Sequence, residues 1–210
     1  MVISSDIIWK YFYADLEVQE KFDHLGALYQ DLNQKINVIS RKDIDSLYIH
    51  HILHSLVLKK FDRFHPGAKI LDLGTGGGFP GIPLAMMYPD CQFTLIDGTR
   101  KKIEVVKTII QSLQLTNVEA IPVRAEDLTG QFDFVVSRAV ASASKIWHWS
   151  KHLLPRKTNK NAKQSVPSVF LLKGGDLSEE LKDFPFKYTL YPIQLYFEEP
   201  YFQEKYILAF

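Results

Sequence analysis

The apolar positions of this chain change their period about a third of the way along it. From Ile7 to about Phe64 they recur at spacings of three and four, first Leu25, Leu28, Tyr29 and Leu32, then Ile49, Ile52, Leu53, Leu56 and Val57. Such spacing lines one face of a helix, so this stretch reads as a helical N-terminal segment. His65-Pro66-Gly67 breaks it, and Lys69-Ile70-Leu71-Asp72-Leu73 then reads as a short buried strand entering a glycine-rich turn. Beyond the turn, apolar runs alternate with helical stretches. Gln92 to Ile96 is predicted as a strand, Lys101 to Leu113 as a helix, and Val118 to Val123, Phe132 to Val136 and Val169 to Leu172 as further strands. This βα alternation implies a parallel sheet with right-handed crossovers. Tyr188 to Phe197 and Tyr206 to Phe210 follow with no helix-length insert between them, which predicts a C-terminal antiparallel hairpin. The organisation expected is a helical extension over residues 1–65 and one α/β domain over 66–210.

Composition narrows this little. At 210 residues, 46% hydrophobic and 23% charged, the chain suits one α/β domain with an appendage and not a disordered chain. A net charge of +1 creates no global field, so a polyanion would have to be held by a local basic patch. The single cysteine, Cys91, excludes an internal disulfide, and no stretch approaches membrane-spanning length. A cytoplasmic protein with no membrane partner is expected. The run Arg156 to Ser165 is basic, free of acids and free of large apolar residues, which predicts a loop.

The chemistry concentrates where the first strand gives way to a helix, at Asp72-Leu73-Gly74-Thr75-Gly76-Gly77-Gly78-Phe79-Pro80-Gly81. Four glycines within five positions cost much conformational freedom, and a turn that close to a helix start lets backbone approach a ligand. Gly76 to Gly81 also satisfies the dinucleotide fingerprint G-x-G-x-x-G, so a nicotinamide cofactor is one reading. Asp72 just ahead of the glycines and the Gly74-x-Gly76-x-Gly78 spacing resemble instead the first motif of Rossmann-like methyltransferases, which implies S-adenosylmethionine. Asp97, about twenty residues on, closes the second strand where a carboxylate accepts from ribose hydroxyls in either class. It also stands where a helix is capped. Ala125-Glu126 follows the third strand, where this enzyme class holds adenine, although Glu126 equally suits a solvated first-turn acid.

Other residues limit the reaction. Cys91 precedes the second strand, at the wrong edge of the sheet for a thiolate attack on a pyrimidine. Ser137-Arg138-Ala139-Val140 stands where enzymes methylating the adenine amine resemble one another in an Asn-Pro-Pro-Tyr type sequence. His50 and His54 have the spacing of a two-histidine ligand pair, but no H-E-x-x-H motif and no evident third ligand accompany them, so no metal is expected.

Taken together the chain resembles the glucose-inhibited division protein B family, the N7-guanine methyltransferases of small-subunit (16S) ribosomal RNA. Leu32 to Ser40 and His51-Ile52-Leu53-His54-Ser55-Leu56 are similar to its N-terminal signatures, and Gly74 to Ala85 to its cofactor loop. Arg124-Ala125-Glu126, Ser137 to Ala141 and Leu172-Lys173-Gly174 resemble its later strand ends. His54 stands where the family usually carries aspartate, and the Arg156 to Ser165 insertion is longer than its usual connection. The resemblance implies a Rossmann-like class I methyltransferase sheet with S-adenosylmethionine as cofactor, held by Asp72, Gly74, Thr75, Gly76, Gly78, Phe79, Asp97, Ala125, Glu126 and Arg138. It also implies a partner, 16S ribosomal RNA or the small ribosomal subunit, met by a monomer.

Lys101, Arg124, Arg138 and Lys173 all fall at or just beyond strand C-termini, where open α/β sheets bind ligands, and four cations there suit RNA phosphates. Phe79 is a candidate to stack on the target base, or else a core residue. Guanine N7 carries an exposed lone pair and no proton, so positioning suffices and no catalytic base is required. Two other readings stand: an oxidoreductase using the same glycine turn and Asp97, separable by which cofactor binds, and a non-catalytic RNA-binding module, which would keep the cations without needing the turn.

Overall fold

The computed structural model describes residues 4–155 and 167–210. Seven strands form one sheet: β1 (Lys69–Leu73), β2 (Gln92–Ile96), β3 (Val118–Ile121), β4 (Phe134–Arg138), β5 (Val169–Gly174), β6 (Thr189–Pro192) and β7 (Lys205–Ala209), in the order β3-β2-β1-β4-β5-β7-β6. The first five are parallel, and β7 is antiparallel to both β5 and β6. The four C-terminal residues of β1 and of β2 are buried, as strands covered on both faces require. Sequence order reverses at β1, between β2 and β4, which makes the C-terminal edge of these strands the crevice where such folds take ligands.

The helices are α1 (Asp6–Trp9), α2 (Leu16–Lys35), α3 (His54–Leu56), α4 (Gly81–Met87), α5 (Arg100–Ser112), α6 (Ala143–Ser150) and α7 (Ser178–Leu181). Asp15 caps α2 by accepting from the Val18 amide at 2.9 Å, and its buried face is Phe22, Leu25, Gly26, Tyr29 and Asn33. Asn33 then closes the following loop, its side-chain oxygen accepting from the Val38 and Ile39 amides. Ahead of α3 the chain is wound as a π-helix over Leu47–Leu53, a form that often marks functional sites. One apolar core runs from Ile8, Phe22 and Leu25 through Ile52 and Leu56 to Ile70, Phe93 and Ile207, so the N-terminal extension shares its packing with one face of the sheet. A second core on the other face joins Leu71, Ile96, Val135, Ile146 and Leu171.

The expected βα alternation and terminal hairpin are present. Strand β4 lies two residues later than its apolar run, because the Phe132 amide donates to Leu153 O outside the sheet and Asp133 exchanges two bonds with Lys69. Strand β3 ends at Ile121, short of the Val123 expected, and the helical extension is interrupted by the loop after α2. The basic run Arg156 to Ser165 lies outside the described residues.

Candidate functional site

The glycine turn is held from beneath by Asp72. Its carboxylate is fully buried, and one oxygen accepts from the Thr75 hydroxyl at 2.6 Å and from the Gly81 amide at 2.8 Å, which ties the turn to the start of α4. Its other oxygen has no partner. Burial therefore lifts the Asp72 pKa to about 7, against the lowering effect of those two hydrogen bonds. Thr75, itself buried, donates its amide to Ile96 O and so fastens the turn to β2. Gly74, Gly76 and Gly78 all have positive φ, at 72°, 58° and 100°. A Cβ on Gly76 would meet no atom within 4 Å, so this backbone borders open space while its amide donates to Asp97 Oδ2 at 3.1 Å.

Beside the turn is a cavity of about 330 Å³ lined by Leu73, Gly74, Asp97, Arg124, Ala125 and Glu126, with Ile96, Val123, Val140 and Trp149 as apolar walls. Its volume is within the ~300–1,000 Å³ of small-molecule sites, and an apolar body with a few polar groups is their usual lining. Asp97 spends one bond on Gly76 and one on the Thr99 amide at 2.8 Å; four lone-pair positions leave room for two more donors. These residues fit S-adenosylmethionine, with the apolar walls suited to adenine, Asp97 to the ribose hydroxyls and the open backbone at Gly76 to the amino acid end.

A second cleft, of about 460 Å³, opens at the ends of β4 and β5. The two are neighbours in the chain, since Ala139 lines the cleft and Val140 the cavity. Ala139 has φ of 55°, a conformation uncommon for a residue with a Cβ, and it marks the bend that separates them. The π-helix supplies one wall. Arg138 donates to His50 O at 2.9 Å and to His51 Nδ1 at 2.8 Å, with its guanidinium 5.0 Å from the Phe79 ring centre. Burial and the Arg138 charge push His51 down to about 3, so it is neutral; its Nε2 is buried 3.3 Å from Asp43 Oδ2 without a hydrogen-bond partner. His50 Nδ1 bonds the other Asp43 oxygen at 2.7 Å.

The residues singled out from sequence thus divide. Gly74, Asp97, Ala125, Glu126 and Arg124 line the donor cavity together, Gly76 borders open space beside it, and Asp72, Thr75 and Gly78 build the turn beneath. Phe79 does not offer a face to a base: it is 3% exposed, stacked on Tyr29 at 4.9 Å and packed by His51 and Arg138. Arg138 and Lys173 line the cleft, not the donor cavity, and both are engaged, Lys173 with Glu180 and Ala141 O at 2.7 Å each. Lys101 and Arg124 are exposed. Asp43, Tyr201 and Lys205, which also line the cleft, carry no motif and were not found from sequence; His51 and His54 entered as part of a family signature, and His54 as a metal candidate with His50, not as residues of this cleft. Among the described residues no group of three or more His, Cys, Asp or Glu could hold a metal.

Solved structures share the architecture. A SAM-dependent methyltransferase from Aquifex aeolicus superposes with a TM-score of 0.57 at 14% identity, covering 88% of this chain and 97% of that one. A precorrin-6y C5,15-methyltransferase from Geobacter metallireducens gives 0.54 at 14%, over 83% and 91%. In sequence, the ribosomal RNA small subunit methyltransferase G of Flavobacterium johnsoniae is 50% identical over 202 residues, 95% of this chain and 94% of that protein. Its namesake in Porphyromonas gingivalis is 44% identical over 203 residues, 96% and 90%. The family model described as GidB, rRNA small subunit methyltransferase G, matches residues 18–200, and by that match and those identities this chain belongs to the GidB family.

Proposed function

We propose that the protein transfers a methyl group from S-adenosylmethionine to N7 of a guanine in small-subunit ribosomal RNA, acting as a monomer in the cytoplasm. The observation that carries the reading is the pairing of a cavity built on the glycine turn and Asp97 with a second cleft one residue away along the chain. Relatives at 44–51% identity named for small-subunit ribosomal RNA point to the acceptor polymer. That both pockets are built within one chain supports the monomer. Among the described residues no helix is long and apolar enough to cross a membrane.

S-adenosylmethionine, when bound, supplies an electrophilic methyl group. The chain's own work is to bind, to orient and to exclude water. Asp97 fixes the donor's ribose, and Ala139 and Val140 form the wall across which donor and acceptor meet. Two of the five N–H bonds of Arg138 are spent on His50 O and His51 Nδ1, which anchors this cation to the π-helix. N7 needs no deprotonation, and no side chain has to act as a base. Labelled donor incubated with small subunits and with naked small-subunit RNA tests the reading: label should enter this RNA and not large-subunit RNA. Label in neither, with donor bound, would overturn it.

A further inference from the structure

We propose that the cleft at the ends of β4 and β5 is the pocket for the acceptor nucleotide, and that Asp43 selects guanine by accepting from its N1–H and its 2-amino group. The inference deepens the function proposed above and rests on guanine being the acceptor.

Three observations lead to it. The cleft's volume of about 460 Å³ accommodates a nucleotide, and Ala139 sets it against the donor cavity. It is also lined by His54, 4% exposed, whose Nε2 is buried without a partner. A buried polar atom left so is costly unless a ligand or water serves it. Finally, the Asp43 carboxylate is anchored at one oxygen, Oδ1, by His50 Nδ1 at 2.7 Å, while Oδ2 lies 3.3 Å from His51 Nε2, which is buried without a hydrogen-bond partner. The Asp43 side chain is 40% exposed, so lone pairs remain open on both oxygens.

A carboxylate only accepts, and among the four bases only guanine presents two adjacent donors on its Watson–Crick edge. Adenine and cytosine place an acceptor beside their amine, and uracil has a single N–H between two acceptors. Gripping guanine by this edge leaves N7, on the opposite edge of the base, clear of any donor. Lys205, which has no ion-pair partner among the described residues and sits over the Tyr201 ring, adds a cation to the same cleft.

The test compares guanine with inosine, which lacks only the 2-amino group, at the methylated position of small-subunit RNA. Wild-type protein should prefer guanine by about 10–100-fold in kcat/KM, the worth of one hydrogen bond to a charged acceptor. Asp43→Asn should lower the guanine rate and shrink that preference below about threefold, with S-adenosylmethionine affinity, read by calorimetry, unchanged. Inosine used as well as guanine by wild type, a result that needs no variant to fold, would overturn the assignment. So would a wild-type preference kept by Asp43→Asn. Methyl mapped to a base other than guanine would overturn the underlying function as well, whereas N7-methylguanine formed without discrimination would overturn the pocket alone.

Discussion

Asp72 and Asp97 look alike as acids near a glycine turn, and the structure gives them opposite environments. Asp97 borders the first cavity with two oxygens partly used; in the proposed site its loss would remove a charge-assisted acceptor from the ribose. Asp97→Ala should weaken S-adenosylmethionine by about 1.5–3 kcal/mol in calorimetry, and an unchanged affinity would remove Asp97 from the site. Asp72 is sealed below the turn, and burial raises its pKa from 3.8 to about 7. The folded state therefore holds this proton more tightly than the unfolded chain does. Its contribution to stability is complete below about pH 4 and is lost as pH rises towards 7, above which it stays constant. Asp72→Asn keeps an oxygen for Thr75 and Gly81 and carries no charge. Denaturant unfolding at pH 5 and pH 8 should show a smaller fall for the variant than for wild type, by up to a few kcal/mol at 1.36 kcal/mol per unit. Equal falls would mean that Asp72 does not titrate in this range.

At the scale of elements, how legible each was depended on whether its burial is periodic. Strands β1 and β2 run as written in the apolar pattern, because every residue after the first is buried. Strand β4 continues through Ser137 and Arg138, polar positions with no apolar signal, since the Ser137 hydroxyl donates to Leu73 O at 2.7 Å and so satisfies itself inside the sheet. The N-terminal segment shows helical spacing at Ile49, Ile52, Leu53 and Leu56, but spacing alone does not distinguish an α-helix from the wider π-winding of Leu47–Leu53. That winding packs on α2 at Gly26, where an added Cβ would lie 2.5 Å from the Tyr48 hydroxyl oxygen. Gly26→Ala, normally favourable within a helix, should here destabilise by about 1–3 kcal/mol, measured by thermal or denaturant unfolding. A stabilised variant would show that Tyr48 yields freely. The lining of the first cavity was legible because one continuous motif and two strand ends carry it. The second cleft was legible only at Arg138 and Lys173, which stand at strand ends; Asp43, His54, Tyr201 and Lys205 come from segments far apart in the chain and meet only through the topology.

In the whole molecule, the strand order places both pockets on one edge of the sheet, and the N-terminal extension completes the second of them. The extension shares a core with β1, β2 and β7 and delivers Asp43, His51 and His54 to the ends of β4 and β5, so the polar cleft is inseparable from the apolar packing beneath it. In the function proposed above, this arrangement directs the methyl group to guanine N7 by position alone. Unmodified small-subunit RNA treated with the protein and isotope-labelled S-adenosylmethionine, digested to nucleosides and resolved by mass spectrometry against standards, tests it most directly. The label should be found in N7-methylguanosine. Label on an exocyclic amine, a ribose oxygen or a pyrimidine carbon would contradict it.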